Sequence, residues 1–321
     1  MRPLVMYHAD CADGFGAAFA AWTVLRDGAE YLPVRYGEDL PLEAVSGRTV
    51  YVLDFSFAKP AMGALFDAAD RVAWLDHHKT AFEMWDIPTH VPWNECLAGK
   101  HVTLDNAKSG AYIAWEFFHP GAEVPMFIKH IDDYDRWQFK IEGTKEFNKA
   151  LWSYAPWSFE QWDGILDLRD AVAVEQMIDE GRPILRAHAQ NVRGVVENAS
   201  RPCSIVPATI SSADSYKSPW VWWHDDENGD ICGVNGLAAH CPSHLTSDVG
   251  HELATQSGTF GLCWYLPKDG SKAHCSLRSN GDYDVSAIAK VFGGGGHRNA
   301  AGFEIEIDML LEWWLSIGAQ S

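Results

Sequence analysis

Val72-Ala73-Trp74-Leu75-Asp76-His77-His78 is an apolar run of strand length that stops on an acid and two imidazoles. A short continuous apolar run bounded by polar residues reads as a buried strand. The pattern occurs twice more upstream. Pro3 to Tyr7 leads into His8-Ala9-Asp10-Cys11-Ala12-Asp13-Gly14, and Thr49 to Leu53 leads into Asp54-Phe55-Ser56. Between and after these runs lie helical stretches, Gly14 to Leu25, Ala61 to Ala69 and Ser109 to Phe118, with a further helix entering Lys129 to Asp133. Strands alternating with helices predict a parallel sheet. In open α/β sheets ligands bind at the carboxyl ends of the strands, so three polar strand ends point to one shared site.

Downstream, Trp152 to Trp162 is rich in tryptophan, and aromatic packing is a better reading of it than a base-stacking platform. Ala171 to Asn198 reads as a long helix that Gly181, Pro183 and Gly194 should break or kink. From Arg201 the texture changes to strands and glycine-bearing turns. The expected architecture is α/β. A mostly parallel sheet flanked by helices occupies residues 1–185, a connector 186–200, and a smaller α/β domain 201–321.

The 321 residues, 47% hydrophobic and 21% charged, fit globular domains rather than a disordered chain. No apolar run approaches the roughly 20 residues needed to span a bilayer, and the start lacks the long apolar core of a signal peptide. A cytoplasmic protein with no membrane partner is the expectation. The formal net charge of −19 argues against a long basic track for nucleic acid and favours small anionic substrates held through metal ions and a few cationic side chains. The seven cysteines are scattered and form no CxxC pair, so free thiols are expected.

Each polar cluster has two readings. His8, Asp10 and Asp13 crowd carboxylates at a strand end, where they repel unless a cation or proton compensates. Oxygen and imidazole donors suit manganese, iron or zinc, while the alternative is a turn in which Asp13 caps the next helix. Asp54 is either the start of a loop or a ligand. Adjacent His77 and His78 after a buried strand need partners, and with the other two clusters a metal site becomes the leading reading. His130 to Trp137 offers Asp132, Asp133 and Asp135, or merely a helix end with an Asp135–Arg136 ion pair. In Gly293-Gly294-Gly295-Gly296-His297-Arg298, four glycines let backbone N–H groups approach an anion. Upstream, Ser276-Leu277-Arg278-Ser279 ends a strand on an arginine suited to phosphate or to a structural ion pair.

Taken in order, these motifs resemble the DHH phosphoesterase superfamily, in the members that carry the DHH-associated C-terminal domain. Asp76-His77-His78 resembles the motif that names the family. His8, Asp10 and Asp13 resemble its first motif, Asp54 its second and Asp133 its fourth. Ser276 to Ser279, Gly293 to His297 and Ala300-Ala301-Gly302 resemble the signature of the associated domain. One departure stands out: relatives commonly place the two aspartates of the first motif two residues apart, whereas Asp10 and Asp13 are three apart. The resemblance implies two divalent cations, usually manganese with magnesium or cobalt as substitutes, held in an active site in the cleft between the two domains. His8, Asp10 and Asp54 would hold the first, and Asp13, Asp54, His77 and Asp133 the second. It further implies that His78 contacts the scissile phosphate and that Asp76 orients the imidazoles. Arg278, Gly294, Gly295, Gly296 and His297 would hold the far end of the substrate. The expected activity, similar to nanoRNases and pGpG-type enzymes, is hydrolysis of short oligoribonucleotides or linear dinucleotides to mononucleotides. Relatives also act on 3′-phosphoadenosine 5′-phosphate, cyclic dinucleotides or pyrophosphate. A nucleotide-binding regulator with a decayed site is the non-enzymatic alternative. Relatives often pair through the first domain, so a homodimer stands beside a monomer as the assembly.

Overall fold

Val5, Leu53 and Leu75 are fully buried on three strands that stand side by side in a computed structural model of the chain. This structure describes every residue except 90–91, 98, 166–170, 206–233, 269, 271, 282 and 319–321. The chain divides into two compact units, Met1–Arg186 and Ala187–Ser321.

The first unit runs β1 (Leu4–His8), α1 (Ala12–Leu25), β2 (Glu30–Val34), α2 (Leu42–Val45), β3 (Thr49–Leu53), α3 (Lys59–Ala68), β4 (Arg71–Asp76), α4 (Lys79–Met84), β5 (Trp93–Leu97), β6 (Lys100–Leu104), α5 (Gly110–Phe118), α6 (Met126–Asp135), α7 (Thr144–Ser153) and α8 (Phe159–Ile165). Its sheet has the order β2-β1-β3-β4-β6-β5, parallel throughout except for the β5–β6 hairpin at one edge. Side chains alternate across the sheet as strands require. Val5, Leu53 and Leu75 pack under α1, α5 and α6 with Phe19, Ile113 and Ile131. On the other face Met6, Val52 and Trp74 pack against Met62, Leu65 and Phe82 of α3 and α4. The chain leaves β1 for β2 on one side and returns to β3 on the other. The strand order therefore reverses between β1 and β3, the switch point where open α/β sheets form a crevice. His8 ends one of those strands and Asp54 follows the other.

The tryptophan-rich stretch packs as expected, with Trp157 and Trp162 against Phe15 at ring-centroid distances of 5.6 and 4.7 Å. The long helix does not break. α9 (Ala171–Ala199) is continuous through Gly181, Pro183 and Gly194. A Cβ at position 181 would run into the Glu146 backbone of α7, so Gly181 serves a close helix approach rather than a break. Met177 and Ile178 on one side of Pro183 are buried in the first unit and Val196 on the other in the second. That burial offsets the one N–H that proline removes.

The second unit continues with β7 (Arg201–Ile205), β8 (Val234–His240), α10 (Thr246–Ser257), β9 (Phe260–Tyr265), β10 (Ala273–Ser279), α11 (Val285–Val291), β11 (Gly295–His297), β12 (Ala300–Ile305) and α12 (Ile307–Gly318). Its sheet order is β11-β12-β10-β9-β8-β7, and α10 is the crossover between the parallel pair β8 and β9. Val249 and Leu253 of α10 cover one face with Ala239 and Cys263. Ile288 of α11 and Leu310 and Trp313 of α12 cover the other with Leu262 and Leu277. The fold is therefore the mixed α/β architecture that the strand and helix alternation predicts. Among the described residues, Cys11, Cys203, Cys241, Cys263 and Cys275 are free thiols. No helix among them is long and apolar enough to cross a membrane.

Candidate metal centre

Asp54 begins the loop after β3 with φ +53°, a left-handed conformation that aspartate tolerates better than most residues. This turns its carboxylate, 1% exposed, into the crevice. One oxygen lies 3.5 Å from His8 Nδ1 and the other 3.1 Å from His77 Nε2. The same His77 nitrogen lies 3.6 Å from Asp13 Oδ2 and 3.6 Å from Asp135 Oδ2. Three overlapping groups result, His8–Cys11–Asp54, Asp54–His77–His78 and Asp13–His77–Asp135, each with its ligand atoms within 4.8 Å of one another. Asp54 and His77 each belong to two of them.

Glycines let these elements close on each other. A Cβ at Gly14 would strike the His8 carbonyl, and one at Gly110 would lie 2.7 Å from both Cγ and Oδ1 of Asp54. The first turn of α5 then donates to Asp13, Gly110 N–H at 2.7 Å and Ala111 N–H at 2.9 Å. A carboxylate is well placed there, because the first N–H groups of a helix have no partner within it. Asp76 sits behind the cluster with its lone pairs engaged. It accepts from His77 N–H (2.7 Å), from His78 N–H (3.1 Å) and from the Ser56 hydroxyl, and it lies 2.7 Å from His78 Nδ1.

The electrostatics are those of a site short of positive charge. Burial, reinforced by the charges of Asp54 and Asp135, pushes the Asp13 carboxyl well up. Burial also raises Asp135, with His77 opposing and Asp54 adding to it. Burial would raise Asp54 too, but the imidazoles of His77, His8 and His78 hold it far below the usual range. Against burial, Asp54, Asp135 and Asp13 draw His77 well above an ordinary imidazole. Burial likewise opposes the Asp76 carboxylate at His78, and the carboxylate prevails. Buried polar atoms without hydrogen bonds include His8 Nδ1 and Asp54 Oδ1. Such atoms are costly unless something else takes their lone pairs. Nitrogen and oxygen donors converging on one crevice fit divalent cations of the manganese and zinc kind.

Of the expected ligands, His8, Asp13, Asp54 and His77 are brought together, with His78 beside them and Asp76 behind. Asp10 and Asp133 are not. Asp10 has φ +55° and a side chain 72% exposed, and its carboxylate accepts from Arg35 Nε at 2.8 Å. Asp133 faces α7, accepting from Lys140 N–H (2.8 Å), Ile141 N–H (3.1 Å) and the Thr144 hydroxyl (2.7 Å). Asp135, one half-turn on, supplies the carboxylate in the cluster. Cys11, Gly110 and Tyr36 were not singled out by the sequence. The Tyr36 ring, half-exposed, stands 5.2 Å from that of His8 and 6.0 Å from that of His78.

The two aspartates of α6 can be told apart in solution. Burial works against the Asp133 carboxylate, but the Lys140 and Ile141 amides and Thr144 hold its pKa below the usual value. Its stabilising effect is therefore complete above the unfolded pKa near ~3.9 and is lost as pH falls through the lower folded value. Asp133→Asn is expected to cost about 1–3 kcal/mol at pH 7, a deficit that narrows in acid, with bound metal unchanged. Urea melts across pH together with metal analysis check this. Loss of metal in that variant would return Asp133 to the ligand set.

In the second unit the Arg278 guanidinium donates to Ser276 Oγ (2.9 Å), Leu277 O (2.8 Å) and Ser247 Oγ (2.8 Å). Register places Gly302 opposite Ser276 and Gly295, and Ala300 opposite Arg278 and His297. Directly paired residues share a face, so Arg278, Gly295 and His297 lie on one face of this sheet. Gly294 and Gly296 do not join them. Gly293 (φ +77°) ends α11, its N–H reaching Lys290 O at 3.1 Å and that of Gly294 reaching Ala289 O at 2.9 Å. This pairing closes a helix on a left-handed glycine. A Cβ at Gly294 would lie 2.6 Å from Phe303 Cβ, and one at Gly296 2.5 Å from the Ala300 carbonyl. Of the three glycines after that helix end, only Gly295 has open space where a Cβ would stand.

Residues 262–312 match the DHHA1 domain family, a span that includes Arg278 and all four glycines. The resemblance read from the sequence is borne out there. An uncharacterised protein of Acanthamoeba polyphaga mimivirus is 29% identical over 318 residues, covering 93% of this chain and 66% of its own length. Similar solved structures include RecJ in complex with Mn²⁺ from Thermus thermophilus, 12% identical with a TM-score of 0.47, matched over 99% of this chain and 52% of RecJ. Another is PggH, a pGpG-specific phosphodiesterase from Vibrio cholerae, 12% identical with a TM-score of 0.45 over 100% of both chains. A third is an exopolyphosphatase-related protein from Bacteroides fragilis, 11% identical with a TM-score of 0.43, over 98% and 90%. The chain thus spans about two thirds of the mimivirus relative and about half of RecJ.

Proposed function

We propose that this chain is a metal-dependent phosphodiesterase that hydrolyses short oligoribonucleotides or linear dinucleotides such as pGpG to mononucleotides. The observation that carries the reading is the convergence of His8, Asp13, Asp54, His77 and Asp135 at the switch point of a parallel sheet, with buried donor atoms left unbonded. His8 and Asp54 would hold one ion, and Asp13, His77 and Asp135 the other, with Asp54 between them. Two divalent cations, manganese foremost with magnesium or cobalt as substitutes, supply a water nucleophile of lowered pKa and offset charge on the phosphoryl oxygens.

The chain's own groups do the positioning. Asp76 anchors His78 through Nδ1, which sets the imidazole to contact the anionic phosphoryl group. The first turn of α5 fixes both carboxylate oxygens of Asp13. Arg278, Gly295 and His297 are assigned to the remainder of the substrate, with the arginine meeting a phosphate. A net charge of −19 suits a short substrate held at few points.

Product analysis tests the proposal. The purified chain with Mn²⁺ is given pGpG, cyclic di-GMP, a ten-nucleotide RNA, 3′-phosphoadenosine 5′-phosphate and pyrophosphate in parallel. Rapid conversion of pGpG to GMP is expected. Faster loss of pyrophosphate or the bisphosphate would keep the metal centre and overturn the substrate. Arg278→Ala is expected to raise KM for the dinucleotide roughly tenfold, about the worth of one charged hydrogen bond, with a smaller effect on kcat. Unchanged kinetics with a lower melting temperature would make Arg278 a structural group, tied to Ser247 and Ser276.

A further inference from the structure

We propose that Cys11 is a ligand of the metal centre and that its sulfur decides which cation the His8–Asp54 position takes. The inference rests on the metal-centre reading above and goes beyond it, because it makes the two positions chemically unequal. Cys11 Sγ, a ring nitrogen of His8 and a carboxylate oxygen of Asp54 lie within 4.8 Å of one another. Bonds from zinc to nitrogen and sulfur run about 2.0–2.3 Å, so two donors on one ion stand up to about 4.5 Å apart. The group closes on an ion with sub-ångström movement.

Three further observations point the same way. The Asp54 carboxylate is 99% buried, its Oδ2 lies 3.5 Å from His8 Nδ1, and that buried nitrogen has no hydrogen bond. Asp10, the nearest competitor for this place, is committed to Arg35 at the surface. Cys11 is the N-cap residue of α1, so its side chain stands at the strand end beside His8, and it is in no disulfide. Packing does not explain the thiol either, because a small apolar side chain has little to gain beside His8, Asp54 and Asp13.

Thiolate is the soft donor in a site otherwise built from imidazole and carboxylate. Soft ligands favour zinc or cobalt, whereas carboxylates suit manganese and magnesium. On binding, the sulfur–metal bond replaces the sulfur–hydrogen bond and the proton leaves to solvent. The His8–Cys11–Asp54 position therefore prefers Zn²⁺ or Co²⁺, and the Asp13–His77–Asp135 position prefers Mn²⁺ or Mg²⁺. The centre is a mixed-metal one.

The test uses the full chain, stripped of metal and titrated with Co²⁺ without oxygen. A sulfur-to-cobalt charge-transfer band in the near ultraviolet is expected for the native chain and absent from Cys11→Ser. X-ray absorption of the Zn²⁺-loaded chain should show a sulfur neighbour at about 2.3 Å, lost in the same variant. Cys11→Asp, which keeps a ligand, should lower the ratio of bound Zn²⁺ to Mn²⁺ at least about tenfold in competition dialysis, about 1.4 kcal/mol. Circular dichroism confirms that both variants fold. Ions bound with no sulfur signal, or a signal that persists in Cys11→Ser, overturn the role of Cys11 and leave the metal centre standing. No ion bound to the native chain overturns the metal centre and this inference with it.

Discussion

Asp54→Asn is expected to abolish phosphodiester hydrolysis, with kcat falling at least about a thousandfold, or about 4 kcal/mol, while the chain stays folded. Its carboxylate stands between His8 and His77, one residue from each proposed ion position, and would therefore serve both. Asparagine is the discriminating replacement because it keeps the side-chain shape and tolerates φ +53°. Loss of charge is then the dominant change. Removing it relieves the repulsion that raises Asp13 but also unpairs His8 and His77, so the metal-free variant is expected to melt at a lower temperature while staying folded. Steady-state kinetics, metal analysis and thermal melts in a chelator make the three comparisons. Near-normal turnover in the variant would end the two-metal assignment.

Gly110→Ala is expected to lower kcat/KM by roughly a hundredfold, the scale on which a misplacement of about 1 Å is felt. Helix propensity alone argues the other way, since alanine is better than glycine in a helix by up to about 1 kcal/mol. Here the added methyl would stand 2.7 Å from Cγ and Oδ1 of Asp54. Either Asp54 shifts, or α5 retreats and takes its two N–H groups from Asp13. Both outcomes weaken metal binding, which calorimetry with Mn²⁺ reads directly. Unchanged affinity would mean that the crevice is looser than its geometry indicates.

The three central strands of the first sheet were legible because β1, β3 and β4 are largely buried and read as short apolar runs ending on Asp or His. By contrast, β2, β5 and β6 lie towards the edges and carry no such run. The site was legible only where position along a strand fixed it, as for His8, Asp54 and His77. Asp133 and Asp135 show why the rest was not. They lie on opposite sides of α6, and the stripes leading to both are buried, although Asp135 itself, the last residue of the helix, is exposed. Phe127 and His130 lead to Asp133 on the side facing α7, while Ile128 and Ile131 lead to Asp135 on the side facing α1. Helical spacing fixes the two stripes, but which stripe meets the crevice depends on packing between distant segments. Cys11 escaped notice because a single cysteine beside acidic residues looks like packing material. Gly110 carried no local signal, since the atoms it makes room for belong to β3's loop. The glycine run was a mixed case. Its density suggested anion binding throughout, whereas the helix end and two close backbone approaches account for every member but Gly295.

The parallel order of the first sheet also decides when its crevice can come into being. A chain emerging amino end first completes β1, β3 and β4 before α5 and α6 exist. His8, Asp54 and His77 can then meet while Asp13 still lacks the amides of Gly110 and Ala111, and Asp135 has yet to be made. Every strand pairing here except the β5–β6 hairpin spans a crossover, which makes assembly slow and non-local. Through that interval the carboxylates would face each other without a helix to receive them. A divalent ion caught by the nascent strands would quiet that repulsion and bind only the forming native state, so the metal would be a folding ligand before it is a cofactor.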